Sequence, residues 1–299
     1  MMPAALARLK ARWLLYTAIV GVAGVLSVAG RTQLAQKERE LVFRIEPGTA
    51  SWYGGLPDGI QELRMPLSQE SASPYIHAWW WPAARRDAPA VLYLHGSRWN
   101  LTGQMFRIQQ LHEFGFSVLA IDYRGFGESP GEVPSEQTVY EDARIAWQEL
   151  AVLEPDPARR FIYGHSLGGA VAVELAGHLS RTERETSPPA AGLIVESSFT
   201  NLADVAAAVT NTRLPIRWLL SQKFDSIDKI ARVRMPVLIV HGTGDRYVPA
   251  RFSEELYAAV QAPKKLLLIE GGSHNNAMRT GSADYLRALR ELFGVRLRS

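Results

Sequence analysis

The 299 residues, 47% hydrophobic and 21% charged, suit one large globular domain or two small ones. Basic and acidic residues number 33 and 30, and Arg8, Lys10 and Arg12 account for the net charge of +3; a formally neutral remainder without a basic stripe argues against nucleic acid as a partner. The chain has no cysteine, which excludes disulfides, thiolate metal sites and a cysteine nucleophile.

After a basic tail at 1–12, Trp13 to Gly30 form an uncharged run of eighteen residues, at the short end of bilayer-spanning length. Basic residues bound it on both sides, which suits a membrane segment better than a soluble helix. We expect a single-pass anchor over 13–30. The alternative is a removed signal peptide, for which Ser27 and Ala29 make a small-x-small cleavage site. Arg8, Lys10 and Arg12 before the span outweigh Arg31 after it, so the expected orientation puts the main domain on the extracytoplasmic side.

Residues 31–59 read as a polar juxtamembrane segment with some helix. Two strands follow, in "IQELRMPLS" and "YIHAWWWPA", with "QESAS" as the turn between them. From Ala90, six short runs alternate with helical patterns: "AVLYLHG", "SVLAIDYRG", "RFIYGHS", "GLIVESS", "PVLIVHG" and "KLLLIEGG". They lack polar alternation, as strands buried on both faces of a parallel sheet do. The clearest helix has Val139, Ala143, Ala146, Trp147, Leu150 and Leu153 on one face and Ser135 as its cap. The expected fold is thus a doubly wound α/β domain at 60–295, led by an antiparallel pair. A short helical insertion at 200–232 interrupts the alternation as a small cap, in which Trp218, Leu219 and Leu220 either guide an apolar chain or simply pack.

Two pentapeptides match G-x-S-x-G, "GESPG" at 127–131 and "GHSLG" at 164–168. A nucleophile elbow needs a buried strand, a sharp turn at the serine, small flanking residues and a helix directly behind. "RFIYGHSLGGAVAVELAGHL" meets each requirement. In "GESPG", Pro130 follows the serine and the chain continues as loop. Ser166 is therefore the expected nucleophile, and Ser129 a loop residue.

A serine hydroxyl needs a histidine to take its proton and a carboxylate to orient that histidine. Asp245 follows "PVLIVHG" and His274 follows "KLLLIEGG", each in a loop at the C-terminal end of an expected parallel strand, where such sites assemble. Glu196, one strand earlier, competes as the acid. His95, His165 and His241 also end strands, but they lack carboxylate company and helical spacing for a metal, so packing is their expected role, as it is or exposure for His77, His112 and His178. The oxyanion donors expected are the N–H groups of Leu167 and Ser97, with Arg98 as the fallback for the second.

"LYLHGSRWN", "DYRGFGES", "YGHSLGG", "VHGTGD" and "GGSHNN", in that order, resemble the α/β-hydrolase superfamily, and within it the ABHD-type serine hydrolases with a membrane anchor and a small cap. The resemblance spans about residues 60–295. It implies a mainly parallel sheet of about eight strands flanked by helices, and it maps the nucleophile to Ser166, the acid to Asp245 and the base to His274. Relatives commonly carry "HGNAGN" where this chain has "HGSRWN", so Arg98 and Trp99 are expected to reshape the acyl side of the pocket. The implied function is hydrolysis of carboxylic esters, lipid esters or thioesters included, through an acyl-enzyme, with no metal or organic cofactor. The alternatives are a peptidase or amidase of the same fold, and an anchored binding module without turnover.

Overall fold

A computed structural model describes residues 30–68, 73–182, 189–210, 216–218 and 220–296. Strands β1 (Gln61–Pro66), β2 (Tyr75–Trp81), β3 (Ala90–Leu94), β4 (Ser117–Ile121), β5 (Arg160–His165), β6 (Gly192–Glu196), β7 (Val237–Gly242) and β8 (Lys264–Ile269) form one eight-stranded sheet. Its order is β1-β2-β4-β3-β5-β6-β7-β8. The pairs β1–β2 and β2–β4 are antiparallel and the rest are parallel, so both expected leading strands and all six later runs are strands of this sheet.

Strands β3 to β7 are buried throughout, because helices cover both faces. Helices α3 (Glu136–Leu153), α4 (Leu167–Thr182) and α7 (Arg251–Ala259) close one face, and α2 (Leu101–Phe114) and α9 (Ser282–Phe293) the other. Helix α3 starts in a capping box: Ser135 Oγ accepts from Thr138 N–H while Thr138 Oγ1 accepts from Ser135 N–H. Its predicted stripe is the buried one, with Leu153 half-buried at its end. Helix α2 is capped by Asn100, whose side chain accepts from Thr102 N–H, and it stops at Gly115 in the left-handed region (φ 106°).

The insertion contributes α5 (Leu202–Thr210), a 3-10 turn at Ile216–Trp218 and α6 (Ser226–Ile230). Trp218 is 89% exposed, while Leu219 lies outside the described residues. The short helix α8 (Ala277–Thr280) precedes α9.

Residues 30–43 form helix α1. The expected anchor over 13–30 lies, except for Gly30, outside the described residues. Among the described residues no helix is long and apolar enough to cross a membrane. The expected juxtamembrane segment does more than link: Phe43 is fully buried between Phe126 and Phe224, with ring centroids 6.3 and 6.2 Å away. The Glu38 carboxylate accepts from the N–H groups of Ser221 and Gln222, both at 2.8 Å, so α1 is tied to the insertion as well.

Candidate functional site

Strand β5 ends at His165 and helix α4 begins at Leu167, leaving Ser166 alone to make the turn, at φ 55°. That left-handed conformation costs a non-glycine residue about 1–3 kcal/mol, and it persists because the surroundings over-determine it. Ser166 N–H donates to the Glu196 carbonyl at 2.9 Å, and the Ser166 carbonyl accepts from Gly169 N–H and Ser198 Oγ, both at 2.9 Å. The flanking glycines are steric requirements: a Cβ on Gly164 would stand 2.1 Å from the Gly168 carbonyl oxygen, and one on Gly168 2.1 Å from that of Leu94.

Ser166 Oγ lies 3.0 Å from His274 Nε2, and His274 Nδ1 lies 2.7 Å from Asp245 Oδ2. An ionised carboxylate only accepts, so Nδ1 carries the proton and Nε2 presents its lone pair to the serine hydroxyl. Asp245 Oδ1 takes the N–H groups of Tyr247 (2.8 Å) and Val248 (2.9 Å). The side chain of Asp245 is fully buried, and burial is the largest single influence, acting to raise its pKa. Hydrogen bonds from His241, His274 and the Val248 N–H outweigh it, holding the carboxyl well below its ordinary value.

His241, expected to pack, belongs to this arrangement. Its Nε2 faces the Val248 carbonyl at 2.9 Å and Asp245 Oδ2 at 3.2 Å, so it carries a proton, and Nδ1 accepts from Ser253 Oγ at 2.6 Å. Glu196, the competing acid, is committed elsewhere: Tyr163 OH (2.9 Å) and Tyr285 OH (3.2 Å) donate to its Oε2, and Arg107 Nε lies 3.5 Å from Oε1.

Arg107 is the residue that sequence reasoning missed. It is 1% exposed, and its guanidinium donates to the carbonyl of His274 at 3.1 Å while meeting His165 Nε2 at 2.9 Å. His165 Nε2 is also 2.9 Å from the same carbonyl. Burial first, then the charge of Arg107, push the His165 pKa well below its ordinary value, so this ring is neutral. The Glu196–Arg107 pair thus fixes the backbone of the loop that carries His274. A signal was present: Gln104, Arg107, Ile108 and Leu111 follow helical spacing, which puts Arg107 on the buried stripe of α2.

The loop after β3 carries Ser97, the second expected oxyanion donor. The N–H groups of Ser97 and Leu167 have no hydrogen-bond partner among the described residues. The fallback is removed, because Arg98 N–H donates to the Phe43 carbonyl at 2.7 Å. Arg98 sits at φ 87°, held by that bond, by Glu46 N–H on its carbonyl (2.8 Å) and by a side-chain ion pair to Glu46 (3.0 Å).

Beside the site opens a cleft of about 480 Å³, lined by Trp52, Arg98, Trp99, Phe106, Arg107, Ser273, Asn275 and Arg279 among others. Its lining stops short of Ser166, and it borders the site through the neighbours of His274 and the residues after Ser97. Trp99 forms its wall, edge-to-face with Trp52 at 4.8 Å and seated on Gly103, where a Cβ would come within 2.5 Å of Trp99 Cβ.

The second G-x-S-x-G serine is buried. Ser129 Oγ donates to the Asp122 carbonyl at 2.6 Å and accepts from His77 N–H at 2.8 Å. His95 is buried with Nδ1 donating to the Gly96 carbonyl at 2.6 Å.

A family model described as serine aminopeptidase, S33, matches residues 86–228. The Mycobacterium tuberculosis protein named uncharacterized protein Rv2307c is 40% identical over 203 residues, 67% of this chain and 68% of that protein. Lysophosphatidylserine lipase ABHD12 of Danio rerio is 32% identical over 205 residues, 63% of this chain and 51% of that protein. Among solved structures, the Pyrococcus furiosus esterase Pf2001 has a TM-score of 0.63 at 17% identity, covering 84% of this chain and 100% of that one, a likeness of fold. With the sheet order, the elbow and these relatives in hand, the chain belongs to the α/β-hydrolase superfamily, with relatives of the ABHD type.

Proposed function

We propose that the chain is a serine hydrolase that cleaves carboxylic esters through a Ser166–His274–Asp245 triad and an acyl-enzyme. The observation that carries this reading is the continuous relay from Ser166 Oγ to His274 Nε2 (3.0 Å) and from His274 Nδ1 to Asp245 Oδ2 (2.7 Å). His274 takes the hydroxyl proton as Ser166 attacks the carbonyl carbon. The N–H groups of Ser97 and Leu167 receive the developing oxyanion. His274 then protonates the leaving alcohol, and afterwards activates the water that releases the acid. No step calls for a metal or an organic cofactor.

The substrate class we propose is a small-molecule or lipid ester, with thioesters beside it. A lipase among the relatives favours lipid esters, and the uncharged run from Trp13 to Gly30 favours an anchor that holds the domain at a membrane, on its extracytoplasmic side. The description of the matching family favours a second reading, an aminopeptidase or amidase with the same triad. Turnover of a panel of p-nitrophenyl esters, acyl thioesters and aminoacyl anilides separates the two. Fastest turnover of esters supports the proposal, and anilides turned over with esters inert would replace it by the peptidase reading.

A further inference from the structure

The second G-x-S-x-G stretch takes no part in the proposed reaction, yet it completes a cluster of its own. Through Ser129 the loop after β4 is pinned to β2 at His77, and this brings Glu128 over the β1–β2 hairpin. There His77 of β2 meets Glu62 of β1. A ring nitrogen of His77 and one carboxylate oxygen from each of Glu62 and Glu128 all lie within 4.8 Å of one another.

His77 is 3% exposed; its Nδ1 has only the Asp122 carboxylate, 3.5 Å away, and its Nε2 is buried without a hydrogen-bond partner among the described residues. A buried Nε2 without a partner carries a desolvation cost that a ligand on that nitrogen would remove. Among the described residues neither Glu62 nor Glu128 pairs with a lysine or arginine. Arg64, opposite His77 in the β1–β2 register, lies instead over the Tyr75 ring, 5.0 Å from its centroid.

The donors are ordered as in a metal centre. His77 Nε2 faces Glu62 Oε2 at 3.8 Å, while Nδ1 faces Asp122 Oδ2 at 3.5 Å. An outer carboxylate that orients a ligating imidazole through its far nitrogen is a recurrent feature of zinc sites. We propose that Glu62, His77 and Glu128 bind a divalent transition-metal cation of the zinc type, with water completing its shell. One imidazole and two carboxylates suit zinc better than calcium or magnesium, which favour all-oxygen shells. Bonds of about 2.0–2.1 Å put tetrahedral ligand atoms about 3.3 Å apart. Glu62 and Glu128 are both exposed, so rotation of their side chains can close that distance.

The cation would act as a staple. It joins the hairpin to the loop that begins at Asp122, and Asp122 Oδ1 accepts the N–H of Leu101 at 2.9 Å, at the start of α2. That helix carries Arg107, so the staple would stiffen the scaffold behind His274 while touching no reacting atom.

The test is a Zn²⁺ titration of the full chain, purified without a tag in detergent and stripped with chelator, followed by calorimetry and thermal melting. The double variant Glu62→Gln/Glu128→Gln changes only exposed side chains and is expected to fold. We expect Zn²⁺ to raise the wild-type melting temperature, and the double variant to lose that shift and bind at least tenfold more weakly. Co²⁺ in place of Zn²⁺ should give the visible absorption of a four-coordinate site in wild type, diminished in the double variant. If Zn²⁺ leaves the wild-type melting temperature unchanged, or stabilises both proteins alike, the proposal is overturned.

Discussion

Asp245 shows how a single carboxylate links stability to the proposed chemistry. Four N–H groups converge on it, from His274, His241, Tyr247 and Val248. Burial alone would raise its pKa; the hydrogen bonds win, and it stays ionised well below the ordinary value of 3.8. A group whose folded pKa is depressed contributes stability above its unfolded pKa and loses it as pH falls through the folded value. Asp245→Asn should therefore be less stable than wild type at about pH 6, with the gap beginning to shrink only below about pH 4 and still largely present at about pH 3 in urea denaturation. Its kcat should fall by about 10⁴-fold, because an amide offers the wrong partner to Nδ1 and misplaces the tautomer. Ser166, Asp245 and His274 were legible in the sequence because each stands where an expected parallel strand gives way to a loop. Arg107 was not, because a guanidinium beside Gln104 on a helix stripe reads as surface until Glu196 is seen beneath it.

Among the elements, the β5–turn–α4 unit tolerates least change. Gly164→Ala places a methyl group against the Gly168 backbone, which no rotamer can relieve. It should destabilise by about 1–3 kcal/mol in urea melts, with activity lost more steeply as Ser166 shifts. The loop after β3 is the proposed specificity element, since Arg98 and Trp99 line the cleft beside the site. Trp99→Ala removes a wall of the cleft, so preference among p-nitrophenyl esters should move toward longer or bulkier acyl groups; an unchanged chain-length profile would remove that role. The strands were legible from their unbroken apolar runs. The insertion was legible only as helical in general, because its short helices leave Trp218 exposed and carry no sustained stripe.

At the scale of the whole molecule, the fold reaches further toward the N-terminus than the residue pattern of 31–59 suggests. The charged stretch "QKERE" has the look of a solvated linker, and only Val42, Phe43 and Ile45 near its end supply apolar contact. That is too little for a periodic signal. Yet Phe43 fills the core, its carbonyl holds Arg98, and Glu38 holds the insertion. Helix α1 thereby couples the segment next to the proposed anchor to the proposed oxyanion loop. Phe43→Ala should lower stability by about 3–5 kcal/mol, and a chain shortened to begin at residue 60 should lose hydrolysis even where it remains soluble.

The most direct measurement of the central claim is labelling with a fluorophosphonate probe, which modifies only an activated serine, with the modified residue located by mass spectrometry. Wild type should take up one equivalent on Ser166 and none on Ser129, and Ser166→Ala should take up none while melting like wild type. Equal labelling of the two proteins, or a folded wild type that does not label, would contradict the account.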